Sequence, residues 1–397
     1  MSDKTSNPND WQLATKLVRG GLNRTGHCET SEALFLNSGY IYGSAEEAEE
    51  SFDGTRERYV YSRFRNPTVT MFEEKLALIE GAEACRATAS GMAAVHAALL
   101  CQVRAGDRVV APQAMFGSCV WIIADLLPRY GVEIELVSGS DLDAWKKALS
   151  KPTRCIFLET PTNPSLELID IAAVSELAHA AGATVVVDNV FATPLLQKPM
   201  QLGADVVIYS ATKHIDGQGR CLGGAILCSN QFLNDILGPF LRHTGPCLSP
   251  FNAWVLLKGL ETLELRVSRH VENAQKLAEF LESHSGISRT LYPTLASHPQ
   301  NALAKRQMAG GGAIIAFEVK GGKAGAYKLL NGLQLIDISN NVGDAKSLIT
   351  HPWTTTHQSR APEEKLRMGI TEGLLRLSVG LEDARDLIAD LSSALTA

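Results

Sequence analysis

Residues 204–214 read Ala-Asp-Val-Val-Ile-Tyr-Ser-Ala-Thr-Lys-His, and residues 185–189 read Val-Val-Val-Asp-Asn. Both stretches begin as apolar runs of strand length and end in polar residues, a pattern that predicts two buried strands. The first strand delivers the lone amine of Lys213, and the second delivers the carboxylate of Asp188. We therefore expect an amine and a carboxylate at the same end of one sheet.

Short apolar runs alternate with helical patterns over residues 70–230. Strands are predicted at 108–110, 133–137, 155–158, 185–187, 206–208 and 225–227, with helices between several of them, for example at 92–103 and 171–181. This alternation predicts an α/β fold with a central, mainly parallel sheet flanked by helices.

The pattern changes after residue 250. A long amphipathic stretch at 253–283 precedes strand-like runs at 313–317 and 374–379, which predicts a smaller C-terminal α+β domain. Residues before about 60 have weak periodicity, with one acidic helical turn at 46–50. We divide the chain into an N-terminal arm (1–60), a central domain (61–250) and a C-terminal domain (251–397).

The composition is that of an ordinary globular protein: 397 residues, 45% hydrophobic, 20% charged, with a formal net charge of -6. Mild acidity without a basic stripe argues against nucleic acid as a partner. Residues 1–10 lack the apolar core of a signal peptide, and no run approaches the ~18 apolar residues of a membrane span. We therefore expect a cytoplasmic protein with no membrane partner. Eight scattered cysteines without a C-x-x-C pair predict reduced thiols and no metal site.

An amine and a buried carboxylate at one sheet edge point foremost to pyridoxal 5'-phosphate (PLP). A lysine forms the Schiff base with this cofactor, and an aspartate keeps the pyridinium nitrogen protonated. Simpler interpretations remain open at this stage: Asp188 could pair with a core arginine or lysine, and Lys213 could be a surface lysine.

A phosphate site is predicted where residues 88–92 (TASGM) precede a helix. Ser90 would cap the helix and Gly91 would let the backbone approach an anion, although the pattern alone is more typical of an ordinary cap. Ser210 and Thr212 could add hydroxyl donors. Asn163, in a turn with two prolines, could bind the phenolic oxygen of the cofactor.

These residues resemble the Cys/Met-metabolism PLP enzymes of fold type I. The resemblance covers nearly the whole chain, and its motifs are specific in combination: 61–68 (YSRFRNPT), 90–92 (SGM), 188–189 (DN), 210–213 (SATK) and 376–382 (RLSVGLE). Segments 215–220, 248–254 and 348–352 are most similar to the branch that acts on O-succinylhomoserine and sulfide.

The resemblance implies a role for each matching position. Lys213 would carry the cofactor and shuttle protons, and Asp188 would pair with the pyridine nitrogen. Arg376 would bind the substrate α-carboxylate, with Ser339 nearby. The phosphate contacts would be Ser90, Gly91, Met92, Ser210 and Thr212, joined by Tyr61 and Arg63 from a neighbouring subunit. Tyr61 would also belong to the catalytic set.

The assembly implied by the resemblance is a homotetramer built from dimers that share their active sites. Arg65, beside the shared motif, could hold the distal carboxylate of a succinyl group or could be an ordinary solvated arginine.

Two departures from the family pattern bear on the reaction. Phe116 stands where many relatives place a tyrosine over the cofactor ring, so stacking is kept but a phenol that can transfer a proton is absent. Ser118 stands where methionine γ-lyases have a reactive cysteine. A carboxylate leaving group needs little proton assistance, so Phe116 favours an acylated homoserine as substrate.

The expected activity is γ-replacement in methionine biosynthesis, with O-succinylhomoserine and sulfide giving homocysteine and succinate. Cystathionine γ-synthase, which uses cysteine as the nucleophile, and methionine or cystathionine γ-lyase are the alternatives. A PLP-binding protein without turnover would lack Lys213, Asp188 or Arg376, and all three are present. A nicotinamide oxidoreductase is disfavoured because the glycines at 217–224 lack the spacing of a dinucleotide fingerprint.

Overall fold

The computed structural model of the protein describes residues 7–396 and contains two sheets. Residues 1–6 and 397 lie outside the described part. The first residues of the predicted N-terminal arm and the last residue of the predicted C-terminal domain are therefore outside it as well. The strands of the larger sheet are β1 (Ala84–Thr88), β2 (Arg108–Pro112), β3 (Glu133–Val137), β4 (Cys155–Glu159), β5 (Thr184–Asp188), β6 (Val206–Tyr209) and β7 (Gly224–Cys228).

The larger sheet is mainly parallel, as predicted. Its strand order is β1-β7-β6-β5-β4-β2-β3, and the five strands from β6 to β3 pair in parallel. Strand β7 joins β6 antiparallel, and β1 joins β7 antiparallel at the edge. The sequence did not predict β1, whose residues Ala-Cys-Arg-Ala-Thr form no continuous apolar run.

The central strands are apolar throughout because both faces of the sheet are covered. Val185 and Val187 of β5 pack into one hydrophobic cluster, and Val186 between them packs into the cluster on the opposite face. Side chains alternate across a strand, so a doubly covered strand needs apolar residues at every position. Because both faces of β5 are buried, the polar residues at its end lie at the edge of the sheet.

Sixteen α-helices are found in residues 7–396. They are α1 (Leu13–Arg19), α2 (Ala45–Asp53), α3 (Pro67–Glu80), α4 (Gly91–Leu100), α5 (Gly117–Val120), α6 (Leu142–Ala148), α7 (Ile171–Ala180), α8 (Thr193–Leu196), α9 (Asn230–Phe232), α10 (Gly238–Thr244), α11 (Pro250–Glu261), α12 (Leu263–Ser283), α13 (Asn301–Gln307), α14 (Gly322–Gly332), α15 (Pro362–Arg367) and α16 (Ala384–Thr396). Within this range no helix combines the length and the apolar character that a membrane crossing requires.

The helices refine two predictions. The segment before residue 60 contains α1 as well as α2, where the sequence indicated a single acidic helical turn. The long amphipathic stretch at 253–283 is two helices, α11 and α12, which meet at Thr262.

The smaller sheet follows α12 and carries one wall of the candidate site. Its strands are β8 (Ile287–Leu291), β9 (Ile314–Val319), β10 (Asp337–Ile338), β11 (Leu348–Thr350) and β12 (Leu374–Ser378), in the order β10-β11-β12-β9-β8. Apolar residues of α12, α14 and α16 pack together with this sheet in one cluster.

Candidate active site

A cavity of about 250 Å³ lies beyond the carboxyl ends of β4, β5 and β6. Ligands of open α/β sheets bind at this edge. The residues predicted from the sequence that line the cavity are Ser90, Gly91, Met92, Phe116, Asn163, Asp188, Ser210, Thr212, Lys213 and Arg376. Residues far apart in the chain are therefore brought to one place.

The N-terminus of α4 forms the anion-binding end of the cavity. The Ser90 hydroxyl accepts a hydrogen bond from the backbone N–H of Ala93 at 3.1 Å, which starts the helix. A Cβ at position 91 would lie 2.5 Å from the Ser210 Cβ, so only glycine lets the helix approach the loop after β6 this closely. The approach places the Ser210 hydroxyl beside free backbone N–H groups, an arrangement suited to a phosphate.

Asp188 ends β5 and faces the cavity from the opposite side of the sheet edge. Its Oδ1 accepts a hydrogen bond from the backbone N–H of Val190 at 3.0 Å. Protein surrounds the carboxyl group except towards the cavity, and this burial raises the pKa of Asp188. A cationic or N–H donor in the cavity would lower that pKa again and hold the group ionised.

Glu159 is a site residue that the sequence analysis did not identify. It ends β4 in direct register with Asp188. Its two carboxylate oxygens accept the backbone N–H groups of Phe116 at 2.8 Å and of Asn163 at 2.7 Å. Burial, and then the charge of Asp188, raise the pKa of Glu159. The available signal was its position after a buried strand, the same signal that identified Asp188.

Cys119 lies beside this carboxylate pair. One ligand atom each of Cys119, Glu159 and Asp188 lie within 4.8 Å of one another. Burial, and then the charge of Glu159, raise the pKa of the Cys119 thiol well above its usual value, so the group remains a thiol. Both Glu159 oxygens already accept N–H groups, which leaves that carboxylate committed to the protein backbone.

The Lys213 amine is held by a residue that the sequence analysis missed. Its Nζ donates a hydrogen bond to the Oδ1 of Asn341 at 2.6 Å. Burial, and then the charge of Arg376, lower the pKa of Lys213 to about 8. Gly343 (φ +74) lets the segment that carries Asn341 approach, since a Cβ there would lie 2.7 Å from the backbone N of His214.

Arg376, on β12, brings the smaller sheet into the site. Its Nη1 donates to the Oδ1 of Asn163 at 2.9 Å, and its Nη2 donates to the carbonyl of Asn340 at 2.7 Å. The Nε has no hydrogen-bond partner within residues 7–396. Burial lowers the pKa of Arg376 to about 10, so the guanidinium stays charged at neutral pH. A buried cation bonded to neutral acceptors is suited to an anionic ligand.

Three predicted residues do not line this cavity. Tyr61 is exposed and packs edge-on against Phe64, while Arg63 donates to the carbonyl of Arg242. Ser339 accepts the N–H of Asn341 at 3.3 Å and lies outside the lining, where Asn340 contributes instead. The expected roles of these three residues stay predictions.

The residues present fit PLP. The cavity offers N–H and hydroxyl donors for a phosphate, a carboxyl group with spare acceptor capacity, a free amine and an unmatched guanidinium. The unpartnered Nε of Arg376 and the close approach of Gly91 to Ser210 both suit anionic groups bound in the cavity.

Comparison with known proteins identifies the family. The family model described as Cys/Met metabolism PLP-dependent enzyme matches residues 14–396. The chain therefore belongs to this family and is a PLP-dependent enzyme of fold type I.

The relatives it resembles share nearly its full length. The chain is 56% identical to an O-succinylhomoserine sulfhydrylase of Mycobacterium tuberculosis, over 98% of this chain and 97% of that protein. It is 47% identical to an O-succinylhomoserine sulfhydrylase of Pseudomonas aeruginosa, over 96% and 95%. A Campylobacter jejuni structure that contains N'-pyridoxyl-lysine-5'-monophosphate is 32% identical, with a TM-score of 0.93 over 98% of this chain and 100% of that chain.

Proposed function

We propose that this protein is an O-succinylhomoserine sulfhydrylase of methionine biosynthesis. Sulfide would replace the succinyl ester at Cγ: the Cγ–O bond breaks, a Cγ–S bond forms, and the products are homocysteine and succinate. The observation that carries the proposal is the 56% identity to a sulfhydrylase of that name along 98% of the chain. The cavity supports it with an amine, a carboxyl group and a guanidinium in one place.

PLP would contribute one chemical property to this reaction. Bound PLP supplies an electron sink that stabilises negative charge on the substrate carbon skeleton. Ser90, Gly91, Met92, Ser210 and Thr212 would hold its phosphate, and Asp188 would hold its ring nitrogen protonated. Phe116 would stack on the ring, and Asn163 would lie at the phenolic oxygen.

The protein's own residues then orient the substrate and move protons. Arg376 binds the α-carboxylate with its guanidinium, which is buried and already fixed by Asn163 and Asn340. Lys213 accepts the α-proton and returns a proton later. Its lowered pKa of about 8 suits an amine that must both take and give protons near neutral pH. Asn341 positions the free amine through its 2.6 Å hydrogen bond.

The assembly and location complete the proposal. Tyr61 and Arg63, which lie away from the cavity of their own chain, would reach the phosphate of a neighbouring subunit, and Tyr61 would join its catalytic groups. The functional unit would be a dimer within a homotetramer, located in the cytoplasm. We also retain Ser339 beside the substrate carboxylate, and the division into an arm (1–60), a PLP-binding domain (61–250) and a C-terminal domain (251–397).

The test is a comparison of nucleophiles. Initial rates with O-succinylhomoserine are measured with sulfide in one vessel and cysteine in another, and the products are identified by mass. We expect homocysteine from sulfide at the higher kcat/KM. Dominant cystathionine formation would reassign the protein to cystathionine γ-synthase, and release of methanethiol from methionine at a comparable rate would reassign it to the γ-lyases.

A further inference from the structure

A second cavity of about 550 Å³ opens on the outer side of Lys213, and we call it the outer groove. It shares Thr212, Lys213, Leu222 and Asn340 with the candidate active site, so the two spaces adjoin each other at Lys213. The remaining lining residues are Gly219, Arg220, Cys221, Asn252 and Asn341. A substrate held at Lys213 would therefore lie next to this groove.

The outer groove is cationic. The charged residues that line it are Lys213 and Arg220, and the other polar ones are neutral. The nearby Asp344 lies behind Gly219 and is paired with Lys346 at 3.0 Å. A negatively charged group in the groove would therefore meet the Arg220 guanidinium and no lining carboxylate.

Arg220 is oriented by a buried carboxylate. Asp216 is fully buried, and its two oxygens accept the backbone N–H of Arg220 at 2.6 Å and its Nε at 2.8 Å. The Nη2 also donates to the Asp216 carbonyl at 3.0 Å. In the described part of the chain no acceptor lies at hydrogen-bond distance from Nη1. The guanidinium is thus fixed on one side and available for a ligand on the other.

The chemistry of the substrate indicates what the ligand is. With the α-carboxylate on Arg376 and the α-carbon beside Lys213, the ester side chain must extend away from both groups. A succinyl ester ends in a carboxylate several bonds beyond Cγ, whereas an acetyl ester ends in a methyl group. A fixed guanidinium in the adjoining groove would distinguish the two.

We propose that the outer groove binds the distal carboxylate of the acyl group, with Arg220 as the residue that selects succinyl over acetyl esters. This inference rests on the proposed function. It gives a role to segment 215–220, which the sequence singled out without assigning one. It is an alternative to Arg65, which pairs with Glu57 and lines neither cavity of its own chain.

The experiment compares two esters in two variants of the PLP-loaded enzyme. Arg220→Lys keeps a cation beside Asp216 but removes the guanidinium fork. We expect kcat/KM for O-succinylhomoserine with sulfide to fall roughly 10- to 100-fold, as for the loss of a charged hydrogen bond. The value for O-acetylhomoserine should change less than about 3-fold, since that ester makes no such bond. Arg65→Ala is measured in parallel as the alternative candidate, and we expect no selective loss of kcat/KM for the succinyl ester in it.

A binding measurement separates this inference from the proposed function. Calorimetry on the PLP-loaded enzyme should show succinate binding more tightly than monomethyl succinate, with the difference lost in Arg220→Lys. An equal loss for both esters, or an unchanged preference for succinate, would overturn the role of Arg220 while the sulfhydrylase proposal stands. A selective loss in Arg65→Ala would overturn it in favour of Arg65. If the parent enzyme fails to make homocysteine, the proposed function is refuted. The calorimetric comparison of succinate with monomethyl succinate then tests the role of Arg220 by itself.

Discussion

Asp188 and Asn189 are neighbours at the end of the same strand, yet their side chains meet opposite surroundings. Asp188 faces the cavity, where one backbone N–H donates to its carboxylate. Asn189 is fully buried on the other side, where its amide bonds to Tyr209, to Gln197 and to the carbonyl of Thr193. Gln197 in turn bonds to Gln307 of α13 at 3.0 Å. We call Asn189, Gln197 and Gln307 the amide network.

The comparison separates polar residues that stabilise the fold from polar residues that are available to a ligand. In the amide network each side-chain amide both donates and accepts, so the burial of these groups is offset by hydrogen bonds. In the cavity, Asp188 has spare acceptor capacity, Arg376 has an unpartnered Nε, and Lys213 bonds to a single neutral oxygen. Unmatched capacity at a sheet edge is what a charged ligand would complete.

The largest effect should come from removing the amine. Lys213→Ala should reduce turnover with O-succinylhomoserine and sulfide by roughly 1000-fold or more, because it removes both the cofactor attachment and the proton carrier. The melting temperature should not fall, since the variant removes a partly buried amine without opening the apolar core. Appreciable retained turnover would refute the assignment.

Asp188→Asn should give the next largest effect. The variant should still bind PLP but lose roughly 100-fold in kcat, because a neutral amide no longer stabilises the protonated ring nitrogen. Cofactor absorbance and steady-state rates measure the two properties separately. Near-normal rates would contradict the role of Asp188.

Gln197→Leu tests the other side of the comparison. It leaves partners in the amide network and the carbonyl of Thr160 unpaired, so the free energy of unfolding should fall by about 3 kcal/mol. Thermal or denaturant unfolding measures this loss. The kcat of the variant should stay within about 3-fold of the parent value, because the substitution leaves the active site intact. A large loss of kcat without a loss of stability would show that Gln197 serves turnover. It would contradict the distinction between the amide network and the polar residues of the cavity.

The smallest effect should be a change in the pH dependence of stability. Burial raises the pKa of Glu80, which accepts the Tyr209 hydroxyl, to about 7. The folded chain therefore holds this proton between pH 4.5 and about 7 while the unfolded chain releases it, so stability falls as pH rises through that window. Glu80→Gln should remove this contribution, gaining about 3 kcal/mol relative to the parent between pH 4.5 and pH 8. A parent-minus-variant difference that is flat with pH would contradict this.

The sequence predicted those parts of the site that follow directly from strands. Lys213 and Asp188 were found because apolar runs ended in isolated polar residues, and parallel pairing then brought them to one edge. Glu159 satisfied the same rule but was read as part of a proline-containing turn. Its role depends on the backbone N–H groups of Phe116 and Asn163, which only the folded chain places next to it.

Contacts made across the chain were not predictable in the same way. Asn341 reaches Lys213 from a segment near the smaller sheet, and the glycine that permits this approach, Gly343, resembles any loop glycine in the sequence. Ser339 was named from the family resemblance alone, and Asn340 and Asn341 were not found because a loop between short strands has no periodicity to fix which side chain faces inwards. The proposed role of Tyr61 depends on a second chain, which one sequence does not describe.

The most direct test of the account is to locate the cofactor on the chain. The PLP-loaded enzyme is reduced with borohydride, digested, and mapped by mass spectrometry. We expect the pyridoxyl group on Lys213, with the cofactor absorbance of the unreduced enzyme lost in Lys213→Ala. Attachment at another lysine, or no attachment at all, would contradict the claim that the unmatched polar groups at this sheet edge form the PLP site.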